Sequence, residues 1–211
     1  MDEQNGGAAR DVLLYFVVPL ILVGAIMGGA IIEYPGLIDL DANEPTPVSL
    51  ESQKLVDDPR YNATEIEIHL YTLVNQERQE HGADPLTRYK RVDNVSRYHA
   101  VYIAANKNVT HRNPNGTSAL ERHDKFNICT THVGENVAGW DVPSSLGSKN
   151  ESPSVEKRIA QEIFESWVDS EGHYENMLNP EWTNTGMGVV INDDSYIAAV
   201  QNFCEQKPRA L

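Results

Sequence analysis

Twenty-one consecutive residues without a charged side chain, Val12–Ile32 (VLLYFVVPLILVGAIMGGAII), limit what this chain can fold into more than any other feature. At about 1.5 Å per residue such a helix runs roughly 31 Å, the thickness of a bilayer's hydrocarbon core. A buried helix of a small soluble domain has no need to be apolar on every face over that length. The apolar region of a cleaved signal peptide usually runs only about 7–15 residues. Met27-Gly28-Gly29-Ala30 supplies small residues but no persuasive cleavage pattern. The segment therefore predicts a retained transmembrane helix, with cleavage as the alternative. Arg10 is the sole basic residue before it, and the next is Lys54. That bias favours residues 1–11 in the cytoplasm and everything after the helix outside, a single-pass protein of the cell membrane. Gly24 and Gly28 leave a small-xxx-small surface that permits a homodimer.

The chain beyond the helix suits an external compartment. Five glycosylation sequons follow it, at Asn62, Asn94, Asn108, Asn115 and Asn150. The only two cysteines, Cys129 and Cys204, lie on the same side, where oxidising conditions favour a structural bridge between them. With 17 basic against 31 acidic residues and a net charge of −14, the protein repels phosphate backbones, so nucleic acid is excluded as a partner.

Residues 33–61 are acidic, carry Pro35, Pro45, Pro47 and Pro59, and show no sustained period; they read as a tether. A globular domain is expected over 62–211. Thr64-Glu65-Ile66-Glu67 fits a capping box, and Ile66, Leu70, Leu73 and Val74 mark one face of a helix stopped by Gly82 and Pro85. Val92, Val95, His99, Tyr102 and Ile103 predict a second helix over about 91–106. Val155, Ile159, Ile163 and Trp167 predict another, beginning after Ser154 and ending around 170–172. Residues 186–192 and 195–204 are β-branched and aromatic runs joined by a tight Asn192-Asp193-Asp194 turn. Helices followed by a terminal hairpin, with shorter strands between, indicate an α+β domain with helices packed on a sheet.

Five strings, in order, resemble the CAP superfamily, also called the SCP domain. They are Val74-Asn75-Gln76-Glu77-Arg78 with His81-Gly82 and Pro85-Leu86; Thr110-His111 with the Asn115-Gly116 turn; and Gly134-Glu135-Asn136-Val137-Ala138. Trp167-Val168-Asp169-Ser170-Glu171-Gly172-His173 and Thr185-Gly186-Met187-Gly188-Val189, leading to Gln201-Asn202-Phe203, complete the set. The short step from Trp167 to His173 is similar to that of compact microbial members. The resemblance implies an α-β-α sandwich with a central antiparallel sheet over about 62–205. It also implies a surface cleft where two histidines and acidic residues converge, which by motif are His111, Glu135 and His173.

Many larger members carry a second glutamate three residues after the motif tryptophan. Ser170 stands there in this chain, and neighbouring Asp169 and Glu171 would be turned about 100° away on a continuous helix. Two imidazoles and one carboxylate suit a weakly bound zinc or related divalent ion, and no cofactor is required. The same groups suit acid–base chemistry, yet the chain has neither a His-Glu-x-x-His helix nor a Gly-x-Ser-x-Gly elbow. His69, His81, His99, His123 and His132 lack motif support; His99, on its helical face, reads as a hydrogen-bonded core residue. Asn136 reads as a tie between backbone groups, and Trp140, Trp167 and Trp182 read as packing rather than a ligand groove. The expected function is a membrane-anchored extracytoplasmic binding module for a lipid, glycan or envelope protein. The alternative is a hydrolase of peptides or envelope polymers.

Overall fold

The computed structural model describes residues 58, 60–129, 132–146 and 153–205. The transmembrane helix expected at 12–32, the dimer surface within it, most of the tether and the Asn150 sequon lie outside the described residues. Among the described residues, no helix is long and apolar enough to cross a membrane.

The elements are α1 (Ala63–Glu80), β1 (Thr87–Arg88), α2 (Lys90–Asn106), α3 (Ala119–Lys125), β2 (Val133–Asp141), α4 (Val155–Val168), α5 (Glu171–Leu178), β3 (Asn184–Ile191) and β4 (Tyr196–Cys204). The Asn62 side chain starts α1 by accepting the Glu65 N–H at 3.2 Å. Ser154 does the same for α4 through the Lys157 N–H. The four strands lie in the order β1-β3-β4-β2. Antiparallel pairs join β3 to β4 and β4 to β2, the latter in register from Val133↔Cys204 to Asp141↔Tyr196. The short β1 runs parallel to β3, so the sheet is mixed rather than wholly antiparallel as the resemblance implied. Residues 81–86 carry the chain from α1 to the edge of β3, and β1 leads at once into α2 at Lys90.

Every residue of β3 and β4 is buried, as befits strands covered on both faces. Ile66, Leu70 and Val74 of α1, Ile159, Ile163 and Trp167 of α4 and Met177 of α5 pack with Met187, Val189, Ile197 and Phe203 on one face. Ala100, Ile103 and Ala104 of α2 meet Val137, Val190, Ala198 and Val200 on the other. That is a three-layer arrangement with the sheet in the middle. Trp167 and Trp182 are 0% and 5% exposed and lie in the first core, with Trp140 packed against it, so all three serve packing.

Gly186 and Gly188 let α2 lie directly on β3. A Cβ at Gly188 would fall 2.2 Å from the Arg97 backbone nitrogen, and one at Gly186 would fall 2.3 Å from that of Asp93. Beyond β1, side chains close the edge of β3. Asp93 Oδ1 accepts the Met187 N–H at 2.8 Å, and Glu67 Oε1 accepts the Val189 N–H at 3.1 Å. Arg88 bridges the two carboxylates, and Arg97 donates to Glu67. Burial pushes the Asp93 carboxyl up to about 6, against the pull of Arg88. Edge groups paired in this way are unavailable to another chain. Asp58, only 4% exposed, donates its N–H to Ile191 O at 3.0 Å, so the end of the expected tether already belongs to the domain.

Candidate functional site

β2 is an edge strand, and elements from both helical layers reach its end of the sheet. Glu135 lies on β2, on the same face as Val137 and therefore toward α2 and α3. His111 comes from the loop after α2, and His173 from the first turn of α5. The imidazole Nδ1 of His111 sits 3.1 Å from Glu135 Oε1. The rings of His111 and His173 are 6.2 Å apart between centroids, inclined at 61°. The three side chains assigned by motif thus stand at one place, although 24 and 38 residues separate them in sequence. His111 is 57% exposed at its side chain, whereas Glu135 is 6% exposed.

The group that dominates the site was not legible as a motif. Arg122, fully buried on α3, pairs its Nη2 with Glu135 Oε2. The same guanidinium donates to His111 O at 3.3 Å, Thr117 O at 3.0 Å and Asn113 Oδ1 at 3.2 Å. One side chain therefore fixes both the carboxylate and the loop that carries His111. Its helix begins with a capping box: Ser118 Oγ accepts the Glu121 N–H, and Glu121 Oε2 accepts the Ser118 N–H at 2.7 Å. Ser118-x-x-Glu121 was the available sequence signal for α3, and nothing in it singles out Arg122.

Burial works to raise the Glu135 carboxyl. The hydrogen bond from His111 and the nearby Arg122 charge outweigh it, holding Glu135 below its ordinary value. His99 is fully buried, with Nε2 2.7 Å from Thr110 O and Nδ1 2.6 Å from Asn113 Oδ1, the hydrogen-bonded core residue its helical position indicated. Burial draws its pKa down, opposed by Glu135 3.9 Å away. His123, also buried, sits 3.2 Å from Asn202 Oδ1, and the Asn202 amide donates to Ser96 Oγ. Burial and then the neighbouring His111 lower His173. Among the described residues, its Nδ1 is buried without a hydrogen-bond partner.

Asn136 performs the expected tie. Its amide donates to His173 O at 2.9 Å, and its Oδ1 accepts from Asn176 at 3.0 Å. The helix expected to continue to about 170–172 instead stops at Val168, and α5 begins anew at Glu171. Ser170 is the N-cap residue of α5, so the position of the second family glutamate falls at a helix junction, flanked by exposed Asp169 and Glu171. The cysteines form the expected bridge: Cys129 and Cys204 are bonded, with 5.8 Å between their Cα atoms.

The other histidines lie elsewhere. His69 faces Glu65, His81 contacts Glu77 and Tyr174, and His132 stands edge-on to Trp182. Beside the cleft, a recess of about 490 Å³ opens between α2 and the 108–116 loop, lined by His99, Tyr102, Ile103, Asn108, Arg112 and Pro114 among others. Among the described residues, no three His, Cys, Asp or Glu side chains are disposed to hold one metal ion. With Glu135 paired to a guanidinium, a divalent ion at the trio would meet two imidazoles and no free carboxylate. The residues therefore do not make a good metal cage.

A family model described as "CAP: Cysteine-rich secretory protein family" matches residues 71–203. The uncharacterized protein YkwD of Bacillus subtilis (strain 168) is 25% identical over 153 residues, 72% of this chain and 53% of that protein. The chain thus spans about half the length of that relative. An outer surface protein from Borrelia burgdorferi superposes with a TM-score of 0.57 at 17% identity, covering 72% of this chain and 100% of the other. An SCP-domain extracellular protein from Bacillus anthracis str. Ames gives 0.52 at 21% identity, covering 77% and 45%. These two likenesses concern the fold.

Proposed function

Since this chain belongs to the CAP, or cysteine-rich secretory protein, family, we propose that it is an extracytoplasmic binding module. In this reading Val12–Ile32 holds it at the membrane, and the cleft at His111, Glu135 and His173 engages a lipid, glycan or envelope protein. The observation that carries binding over hydrolysis is the state of Glu135. A general base works best with a pKa near the working pH. Here Glu135 is buried, and His111 and Arg122 hold its carboxyl below its ordinary value, so it is a weak base screened from water. The cysteines are bonded to each other, so neither is a nucleophile. Zinc, in this reading, is a weak visitor to the two imidazoles rather than a structural ion.

The test uses the full chain, purified in detergent from membranes of a cell type that exports it. Mass spectrometry of the extracted material should identify a lipid or glycan retained by the wild type and depleted in His111→Ala/His173→Ala. Turnover of a peptide or envelope-polymer substrate, abolished by Glu135→Gln, would establish the hydrolase instead. Zinc titration should show weak binding that declines as pH falls, because a protonated imidazole has no lone pair to donate. Undiminished zinc affinity in the double histidine variant would remove both residues as ligands. For the anchor, the protein should stay in the membrane pellet after alkaline carbonate washing with Met1–Asp11 intact. A soluble form beginning near Ile31 would mean cleavage.

A further inference from the structure

We propose that Asn115 is an N-glycan acceptor, and that its sugar stands on the loop that carries His111. The proposal rests on the external placement of the domain given above. A glycan-transferring enzyme that reads Asn-x-Ser/Thr must reach the amide and the hydroxyl two residues on at the same time. On a helix those two side chains diverge by about 200°, because each residue turns the chain about 100°. In a turn they can meet.

The described sequons differ on this point. Asn94 lies within α2, and the hydroxyl of its Ser96 is buried, bonded to Val92 O and Gly186 O at 3.0 Å each and to the Asn202 amide. Asn62 caps α1 through its Oδ1, and its Thr64 lies inside that helix. Asn108 is exposed in a loop, but the Thr110 hydroxyl accepts the Arg112 N–H rather than meeting the Asn108 amide. At Asn115 the two groups already touch. Thr117 Oγ1 lies 2.7 Å from Asn115 Oδ1, and the Thr117 N–H donates to the same oxygen at 3.1 Å.

The turn is also open to a bulky partner. Asn115 is exposed, and a Cβ built at Gly116 would meet nothing within 4 Å among the described residues. It is held in shape as well: Gly116 N–H donates to Asn113 O at 2.8 Å, Gly116 adopts φ +84°, and Arg112 donates to Gly116 O at 2.7 Å. Two donors on Oδ1 draw electron density from the amide carbonyl and make an Nδ2 proton easier to lose. The step uses a sugar linked through C1 to a membrane lipid phosphate or pyrophosphate. The Asn115 Nδ2–C1 bond forms and the C1–O phosphate bond breaks. The bonding pair leaves with the lipid phosphate, and the Nδ2 proton passes to a base of the transferring enzyme. The attached sugar stands four residues from His111, at the rim of the recess lined by Arg112, Pro114 and Gly116.

The experiment compares the full chain with T117S and T117V in a cell that N-glycosylates exported proteins. Site occupancy is read by peptide mass spectrometry, and exposure by a membrane-impermeant amine label on intact cells. The expected result is a labelled chain with glycan at Asn115 in wild type and T117S, loss of that glycan in T117V, and a bare Asn94. A labelled chain bare at Asn115, or glycosylated at Asn94 in its place, overturns the assignment. An unlabelled chain without glycan at any site overturns the external placement, and the assignment with it.

Discussion

Replacing Arg122 with methionine removes one cation from a buried network and leaves the rest in place. The guanidinium is fully buried and serves four acceptors: Glu135, His111 O, Thr117 O and Asn113 Oδ1. Breaking a buried pair from one side leaves an uncompensated charge, which costs about 3–5 kcal/mol. The pH dependence separates this cause from simple loss of packing. In the wild type the Glu135 carboxyl is held below its ordinary 4.5. It therefore contributes stability that is present above the unfolded value and is lost as pH falls through the folded one. Without Arg122, burial is opposed only by His111 and His99, so Glu135 titrates higher than in the wild type and the variant gains less stability as pH rises. Relative to wild type, the deficit should shrink as pH falls below the ordinary carboxylate range and reach its full size by about pH 7, while the part due to the three oxygens that lose Arg122 stays the same at every pH. Urea unfolding followed by tryptophan fluorescence at several pH values measures it. R122M/E135Q should recover a large part of the deficit at neutral pH, since a neutral amide costs less to bury. A deficit equal at every pH and undiminished by E135Q would refute the buried-pair argument.

Two further substitutions test the frame. G188A places a Cβ 2.2 Å from the Arg97 nitrogen and should force α2 off the sheet, lowering stability by about 3 kcal/mol. G172A, whose Cβ meets nothing within 4 Å among the described residues, should be neutral or stabilising by up to about 1 kcal/mol. Equal urea midpoints for the two variants would contradict the close approach of helix and strand. The double variant C129A/C204A opens a bridge spanning 75 residues and should cost roughly 4 kcal/mol in the chain-entropy model. An unchanged midpoint would show that the bridge contributes little.

Periodic apolar runs made α1, α2, α4 and the terminal hairpin legible from sequence, because each carries its own pattern of burial. The family strings did the same for the site: His111, Glu135 and His173 were named, and they stand together. Two short helices were missed, α3 and α5, since seven or eight residues hold too few turns for a period to show. The strand Val133–Asp141 was visible only as a family string, for its glycines, Glu135 and Asn136 have little intrinsic preference for a strand. It is a strand because β4 supplies nine paired positions. Likewise, the fold corrects the Thr64–Glu67 capping box: Asn62 caps α1, and Glu67 joins Asp93 against the open edge of β3.

The sequence by itself determined the helical registers, the pair of cysteines available to bridge, and the residue types that meet in the cleft. Those follow from local spacing and from side-chain chemistry. Only the tertiary structure decided what the cleft is electrically. Arg122 and Glu135 are 13 residues apart on different elements, and no periodicity links them. Their pairing arises because α3 packs across the end of the sheet, where burial leaves a carboxylate no solvent and a guanidinium no other anion. That contact gives the acid beside the two histidines a buried cationic partner.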